Sequence, residues 1–372
     1  MLNLHIVQAQ HGDSLLLEYG TPPEPRYILI DGGPSTVYKD HLQAVLKQIQ
    51  KAGGALEQVV LSHVDDDHVK GLLDLMKELK RQQEKNEPLT IDVRALWHNS
   101  FSDTLGPEVE DGFAKFLENS GEISDLMPLS AAEGKSIAQG DELSNLAVDL
   151  GVPINPGFDP SCIITVDQAG GPLSEENLEL RILGPSLQNL EKLRQDWLDW
   201  LAEQEEKLSA KDLLDDKAIG DADASVPNLS SIMFLAKADG KTILLTGDGK
   251  GDDVLVGLQQ ANMLEPDGTC QVDVFKLPHH GSQRNVSPEF FRRLTADKYV
   301  ISANGKYGNP DPPTLQWLVT AAKEQGRAIE IWITNPTDGT RELVDKYPPD
   351  EYGYRLVEME SGAHEMILTL AA

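Results

Sequence analysis

Apolar and polar positions along this chain fall into strand-like and helix-like patterns from its first residues onward. Leu4–Gln8 and Leu15–Tyr19 read as strands around the turn residues His11, Gly12, Asp13 and Ser14. Tyr27–Ile30 reads as a buried strand that ends in Asp31, Gly32, Gly33 and Pro34. Leu42, Val45, Leu46 and Ile49 then recur at helical spacing, and Gly53-Gly54 stops the run. The apolar run Val59-Val60-Leu61 gives way to Ser62-His63-Val64-Asp65-Asp66-Asp67-His68. After it, Val69, Leu72, Leu73, Met76 and Leu79 form another helical stripe. A strand over Ile91–Trp97 leads into His98, so strand and helix alternate as in an α/β layered fold.

From Phe101 to Val226 the pattern changes to short helical pieces between Gly/Pro loops. Leu187, Leu190, Leu193, Trp197 and Leu201 mark one long amphipathic helix, followed by the acidic run Glu203–Asp223, which reads as a linker. Strands resume at Ser231–Lys237 and Thr242–Leu245, joined by an Asp239-Gly240 hairpin turn. A helix near Val254–Ala261 precedes the strand Val272–Leu277 and the sequence Pro278-His279-His280-Gly281-Ser282. Ser287 with Pro288 suits a helix start. Tyr299–Ser302, Ile329–Thr334, Tyr354–Glu358 and Met366–Leu370 complete the expected strands, with a helix from Thr314 to the stop at Gly326.

Composition adds bounds rather than detail. The 372 residues are 40% hydrophobic and 25% charged, ordinary for a globular chain with ample length for a core. A formal charge of −29 argues against a broad phosphate-binding surface, which needs Lys and Arg. Cys162 and Cys270 are the only cysteines, which excludes a disulfide framework and points to free thiols. No apolar run approaches the ~18–20 residues of a membrane span, and the start lacks a leader pattern. No membrane role and a cytoplasmic location are expected.

The chemistry concentrates just past predicted strands: at Asp31, in the 63–68 cluster, at His98, at Asp248 and at His279-His280. Carboxylates and imidazoles crowded at a strand end cost desolvation and repulsion unless a cation offsets them. Strand ends of a layered fold share an edge, so these groups can meet. His63 and Asp65 can point at one cation, with His98 completing its site. Asp67 and His68 can reach a second, completed by His279 or His280, and Asp248 can bridge the two. A two-metal site of this kind activates water against phosphorus or carbonyl carbon.

These residues resemble the metallo-β-lactamase-fold hydrolases, whose metal motif is HxHxDH. Asp65 stands where the second His would be, which makes the local pattern HxDxDH. With Thr246-Gly247-Asp248, Pro278-His279-His280-Gly281-Ser282 and Tyr307-Gly308-Asn309-Pro310, the chain is similar to the hydrolase domain of ComEC-type DNA-uptake proteins, and more so to that domain's stand-alone soluble relatives. The similarity covers residues 1–100 and 227–335. It implies an α+β fold, a four-layer αββα sandwich in a single domain over residues 1–372, with 101–226 as a helical or irregular insertion.

By position, the resemblance makes His63, Asp65 and His98 ligands of one metal. Asp67, His68 and one histidine of the 279–280 pair hold the other, Asp248 bridges, and Asp31 orients the ligand loop. His279 is favoured as the ligand because it comes first after the strand, which leaves His280 to face substrate or leaving group. Asp67 is a candidate base for the attacking water, and Ser282, Asn304, Lys306 and Tyr307 are candidates for binding a phosphate oxygen. Asp65 hardens the first site, so the two divalent ions are expected to be zinc or manganese.

The function expected is hydrolysis of a phosphodiester in single-stranded nucleic acid, an oligonucleotide or a nucleotide, with self-association left open. Hydrolysis of a carboxyl-type bond (lactone, thioester or β-lactam) is the enzymatic rival. A metal-stabilised interaction module without turnover is the non-enzymatic one.

Overall fold

The computed structural model describes residues 1–21, 23–100, 104, 106, 108–109, 111–112, 128–158, 163–210 and 227–370. Strands β1 (Leu2–Val7), β2 (Leu15–Thr21) and β3 (Glu24–Ile30) form an antiparallel meander. Helix α1 (Gln43–Lys51) then carries the chain back to β4 (Leu56–Val60), and α2 (Asp66–Glu84) leads on to β5 (Leu96–Trp97). These crossovers make β3, β4 and β5 parallel. Next come α3 (Pro128–Leu150), β6 (Leu173–Glu175), β7 (Leu178–Gly184) and α4 (Leu187–Ala210). β8 (Met233–Ala238) and β9 (Lys241–Leu245) make the expected hairpin, with left-handed Asp239 (φ 52°) and Gly240 (φ 77°) at its turn.

A run of helix and parallel strand follows: α5 (Gly251–Gln260), β10 (Cys270–Lys276), α6 (Pro288–Arg293), β11 (Leu294–Ile301), α7 (Pro312–Glu324) and β12 (Ile329–Ile333). Helices α8 (Asp338–Lys346) and α9 (Pro349–Tyr352) precede β13 (Tyr354–Glu358), and β14 (Glu365–Leu370) returns to pair with β1. The result is a six-stranded sheet, β14-β1-β2-β3-β4-β5, and an eight-stranded one, β13-β12-β11-β10-β9-β8-β7-β6.

Strand alternation decides what each face meets. Leu4, Ile6, Leu17 and Ile28 of the first sheet share an apolar core with Ile182, Phe234, Leu245 and Val274 of the second. The outer face of the first sheet packs on α1, α2 and α3 through Leu29, Val59, Leu46, Leu72, Met76 and Leu143. Leu244, Phe275 and Ile301 on the outer face of the second sheet meet Val254, Phe290, Leu318 and Leu343 of α5 to α8. Each buried aliphatic or aromatic side chain contributes about 1.5–3 kcal/mol. The layers are therefore helix, sheet, sheet, helix.

Three expectations change. The strand expected over Ile91–Trp97 is reduced to Leu96–Trp97, because Val93 makes only an isolated bridge to Leu56 before regular pairing begins. Within 101–226, β7 is a full member of the second sheet, paired antiparallel with β8, although the loop-rich surroundings conceal it. The acidic run begins as helix rather than linker, because α4 continues to Ala210; residues 211–223 lie outside the described residues, as does Cys162, and Cys270 is a buried free thiol. Ser287 caps α6 as expected, its hydroxyl accepting the Phe290 N–H.

Two local features brace the first sheet, one against α2 and one across its strands. Gly32 and Gly71 touch backbone to backbone, and a Cβ on Gly71 would collide with the Gly32 carbonyl. Gly32 N–H donates to His68 O at 2.8 Å, and Gly71 N–H to Gly33 O at 3.0 Å. At the other end of the sheet, His5 lies between Glu365 (2.8 Å) and Glu18 (3.3 Å). Burial opposes its protonation, but the two glutamates outweigh burial and raise its pKa to about 9.

Gly71→Ala is expected to lower the unfolding free energy, measured in urea, at the upper end of the ~1–3 kcal/mol typical of overpacking. The raised pKa of His5 means its stabilisation is full below the ordinary imidazole value and is lost as pH rises through about 9. His5→Gln should therefore lower the Tm by several degrees at pH 6, with the gap to wild type closing by pH 10. A gap independent of pH would contradict this.

Candidate metal centre

Parallel strands present their C-terminal ends on one edge, and in this fold two such edges meet. β3 delivers Asp31, β4 delivers Ser62 and His63, and β5 delivers His98. From the second sheet, β9 delivers Asp248, β10 delivers His279 and His280, and β11 delivers Ser302. A hydrogen bond from Ile232 N–H to Ser62 O (2.9 Å) joins the two edges. Gly247 (φ 50°) permits their close approach, because a Cβ there would press on Ser62.

Asp31 is the organiser of the first edge. It is buried, and its left-handed backbone (φ 58°) turns both carboxylate oxygens towards the β4 end. Oδ1 accepts the Ser62 N–H at 2.7 Å; Oδ2 accepts the Ser62 hydroxyl at 2.7 Å and faces His68 Nδ1 at 2.8 Å. With its proton directed at Asp31, the Ser62 hydroxyl is left to accept from His63 Nδ1 at 3.0 Å. On the opposite edge, His280 Nδ1 donates to Ser302 O at 2.9 Å.

All three imidazoles are therefore gripped through Nδ1 and turn Nε2 inward. Those Nε2 atoms, together with Asp248 Oδ1, are buried and make no hydrogen bond. Carboxylates face them without closing one: Asp65 lies 3.4 Å and Asp248 3.7 Å from His63. Asp248 lies 3.4 Å from His68, and Asp67 3.2 Å from His280. Donor atoms of His63, His68 and Asp248 lie within 4.8 Å of one another, as do those of Asp67, His68 and His280. Asp65 is the N-cap of α2 yet makes no capping bond, which keeps its carboxylate available to the cluster.

The electrostatics match a cation site. Burial opposes protonation of His68, but Asp248, Asp31 and Asp67 outweigh burial and hold its pKa well above the usual value. For His280, burial is likewise overcome by Asp13 and Asp248, and the pKa rises to about 10. Burial would raise the Asp248 pKa, but His279, His68 and His280 drive it far down. The field of these carboxylates calls for positive charge at the imidazoles, which protons or metal ions can supply.

Residues 11–122 match the family model of the Metallo-beta-lactamase superfamily. That stretch, less than a third of the chain, is similar to a metallo-β-lactamase superfamily domain. The helix, sheet, sheet, helix layering of the chain is consistent with the metallo-β-lactamase fold. ComE operon protein 3 of Bacillus subtilis (strain 168) is 32% identical over 98 residues, which make up 26% of this chain and 12% of that protein. The metallo-beta-lactamase fold protein YhfI from Bacillus subtilis is 10% identical, with a TM-score of 0.40 and 99% of each chain covered.

His63, Asp65, Asp67, His68 and Asp248 come together as the strand-end argument expects. The histidine pair is arranged differently from the expectation. Both residues adopt left-handed backbone (φ 48° and 56°), which swings His280 into the buried cluster and leaves the His279 side chain 31% exposed, 3.7 Å from Asp248. His98 is buried, its backbone held in both directions by Asn155 at 2.9 Å, and Gly140 of α3 passes over its ring. Ser282 is buried, and its hydroxyl accepts the Arg284 N–H within its own turn. Asn304, Lys306 and Tyr307 line a small open cleft that also contains His11 and His280.

The sequence pattern missed a buried ion pair beneath the site. Lys276 and Asp13 bond directly, both almost wholly inaccessible, and Asp13 also faces His280 Nδ1 at 3.4 Å. Burial would raise the Asp13 pKa, but the Lys276 ammonium overcomes it and draws it down to about 2. The available signal was Lys276, a lone charge at the end of the apolar half of β10. Asn285, which donates to Asp248 O at 2.7 Å, carried no such signal.

No helix among the described residues is long and apolar enough to cross a membrane. Asp31→Ala should free the His68 ring and the Ser62 turn together, weakening divalent-metal affinity by about 10–100-fold. Competition with a chromogenic chelator measures this, and unchanged affinity would show that the Asp31 contacts do not orient the cluster.

Proposed function

We propose that this protein is a dinuclear metal-dependent hydrolase of phosphodiester bonds in nucleic acid or nucleotides. The observation that carries the metal reading is the set of inward-turned, buried Nε2 atoms of His63, His68 and His280 beside Asp248 Oδ1, all lacking a hydrogen bond. Such a set costs several kcal/mol in desolvated polar atoms unless a cation satisfies it, of order 1–3 kcal/mol for each. His63, Asp65 and Asp248, with His98, would hold one ion; Asp67, His68 and His280, with Asp248 between, would hold the other. His280 thus replaces His279 as the ligand of the second site. The more exposed His279 takes the place on the substrate side that the residue order had given to His280.

Zinc or manganese bound there would supply Lewis acidity and an activated water. The chain's own residues do the remaining work. Asp31, Ser62 and Ser302 fix the ring orientations, and Asp13 with Lys276 holds the His280 turn from below. Asp67 lies at the mouth of the cluster, where it can accept a proton, and Lys306 can meet the charge of a phosphate. The ComEC-type motifs and the similarity to ComE operon protein 3 over 98 residues support a phosphodiester over a carboxyl-type substrate. Asp65 in place of an imidazole supports it too.

The purified protein should contain about two metal equivalents by elemental analysis and cleave bis(p-nitrophenyl) phosphate, single-stranded DNA or RNA with zinc or manganese. Asp248→Asn should reduce kcat by more than about 100-fold, a larger loss than for a residue that only orients a ligand, while circular dichroism stays native. Turnover of nitrocefin or a lactone alone, or activity indifferent to Asp248→Asn, would overturn the reading.

A further inference from the structure

The cleft beside His280 has features that the hydrolytic centre does not require. Its far wall is the tight turn from Asn304 to Asn309. Asn304 Oδ1 accepts the Lys306 N–H at 3.0 Å, and Asn309 Nδ2 donates to His279 O at 3.3 Å. Gly305 (φ 82°) and Gly308 (φ 86°) take the left-handed conformations that the turn requires. The turn is thereby fixed to the histidine turn that delivers His280.

Lys306 and Tyr307 stand on this wall with His11 facing them. Lys306 Nζ lies 3.2 Å from His11 Nε2, and since an ammonium can only donate, His11 accepts and remains neutral. The same ammonium lies 4.8 Å from the centre of the Tyr307 ring, and the His11 ring meets Tyr307 edge-on at 5.5 Å. Among the described residues Lys306 forms no ion pair with a carboxylate, in a chain of net charge −29. Tyr307 is 68% exposed, the most exposed large hydrophobic side chain among the described residues. The cleft is shallow and Lys306 is exposed at its edge, so the ammonium can meet a phosphate at the surface while the rest of the substrate lies across the rim. On that rim stands an aromatic ring.

We propose that Lys306 and Tyr307, steadied by His11, form a nucleotide subsite in which the ammonium binds a phosphate and the phenol ring stacks a base. The subsite adds a base contact to the nucleic acid or nucleotide substrate already proposed. This rests on the phosphodiester reading of the metal centre. Stacking on an exposed aromatic accepts every base, so the subsite favours nucleotides without reading sequence.

The test is calorimetric titration of the full-length protein with adenosine 5′-monophosphate and with ribose 5-phosphate, which share a phosphate and differ by the base. Wild type should bind the nucleotide at least about fivefold more tightly, the lower end of a base–aromatic stack. Tyr307→Ala should remove that difference, Tyr307→Phe should keep it, and Lys306→Met should weaken both ligands together. Equal affinity of wild type for the two ligands, or equal loss of both in Tyr307→Ala, would overturn the subsite. Failure to cleave bis(p-nitrophenyl) phosphate alongside an intact base preference would overturn the phosphodiester reading and leave the subsite standing.

Discussion

The geometry of the candidate metal centre depends on a buried carboxylate that is not one of its inward-facing groups. Asp31 ends β3 in a left-handed turn and spends both oxygens on the end of β4 and the first turn of α2. By accepting from Ser62 N–H, Ser62 Oγ–H and His68 Nδ1, it fixes the tautomer of two imidazoles at once. The contact between Gly32 and Gly71 directly behind it leaves no room for the helix to slide. The rings can therefore present bare Nε2 atoms to one another and to Asp248 without closing a hydrogen bond.

On the opposite sheet edge a second device does comparable work by different means. Two consecutive left-handed residues turn the chain after β10, and the buried Lys276–Asp13 pair anchors that turn to the loop before β2. A buried ion pair contributes little net stability against an apolar replacement. Its position, with Asp13 also against His280, links it to the site rather than to the core. Ser302 strengthens the same junction, donating to Gly12 O at 2.6 Å while its own carbonyl receives His280. The loop from His11 to Ser14 thus packs under the metal centre and also supplies one wall of the neighbouring cleft.

The 101–226 stretch shows how sequence patterning loses information. Its strand Leu178–Gly184 has two charged side chains, Glu179 and Arg181, among its first four residues, so the apolar alternation is short and its flanks are loops. The strand is nonetheless built into the eight-stranded sheet, because β8 offers it an edge. Helix α3 lies on the first sheet through Leu143, Leu146 and Ala147 and passes over His98 at Gly140. What reads as an elaboration covers one end of the candidate site.

The chain's sequence by itself determined the strand-end positions of Asp31, His63, Asp65, Asp67, His68 and Asp248, and with them the two-metal reading. Strand periodicity and a short polar cluster are local properties, legible without knowing what packs where. Tertiary structure decided which histidine of the 279–280 pair turns inward, because a left-handed turn reverses the direction that residue order suggests. It also decided that Lys276 meets Asp13 across a separation of 263 residues, and that Ser282 serves its own turn while His11 reaches Lys306. Those outcomes depend on how two sheet edges meet. Residues far apart in the chain become neighbours only once the core between the sheets has closed.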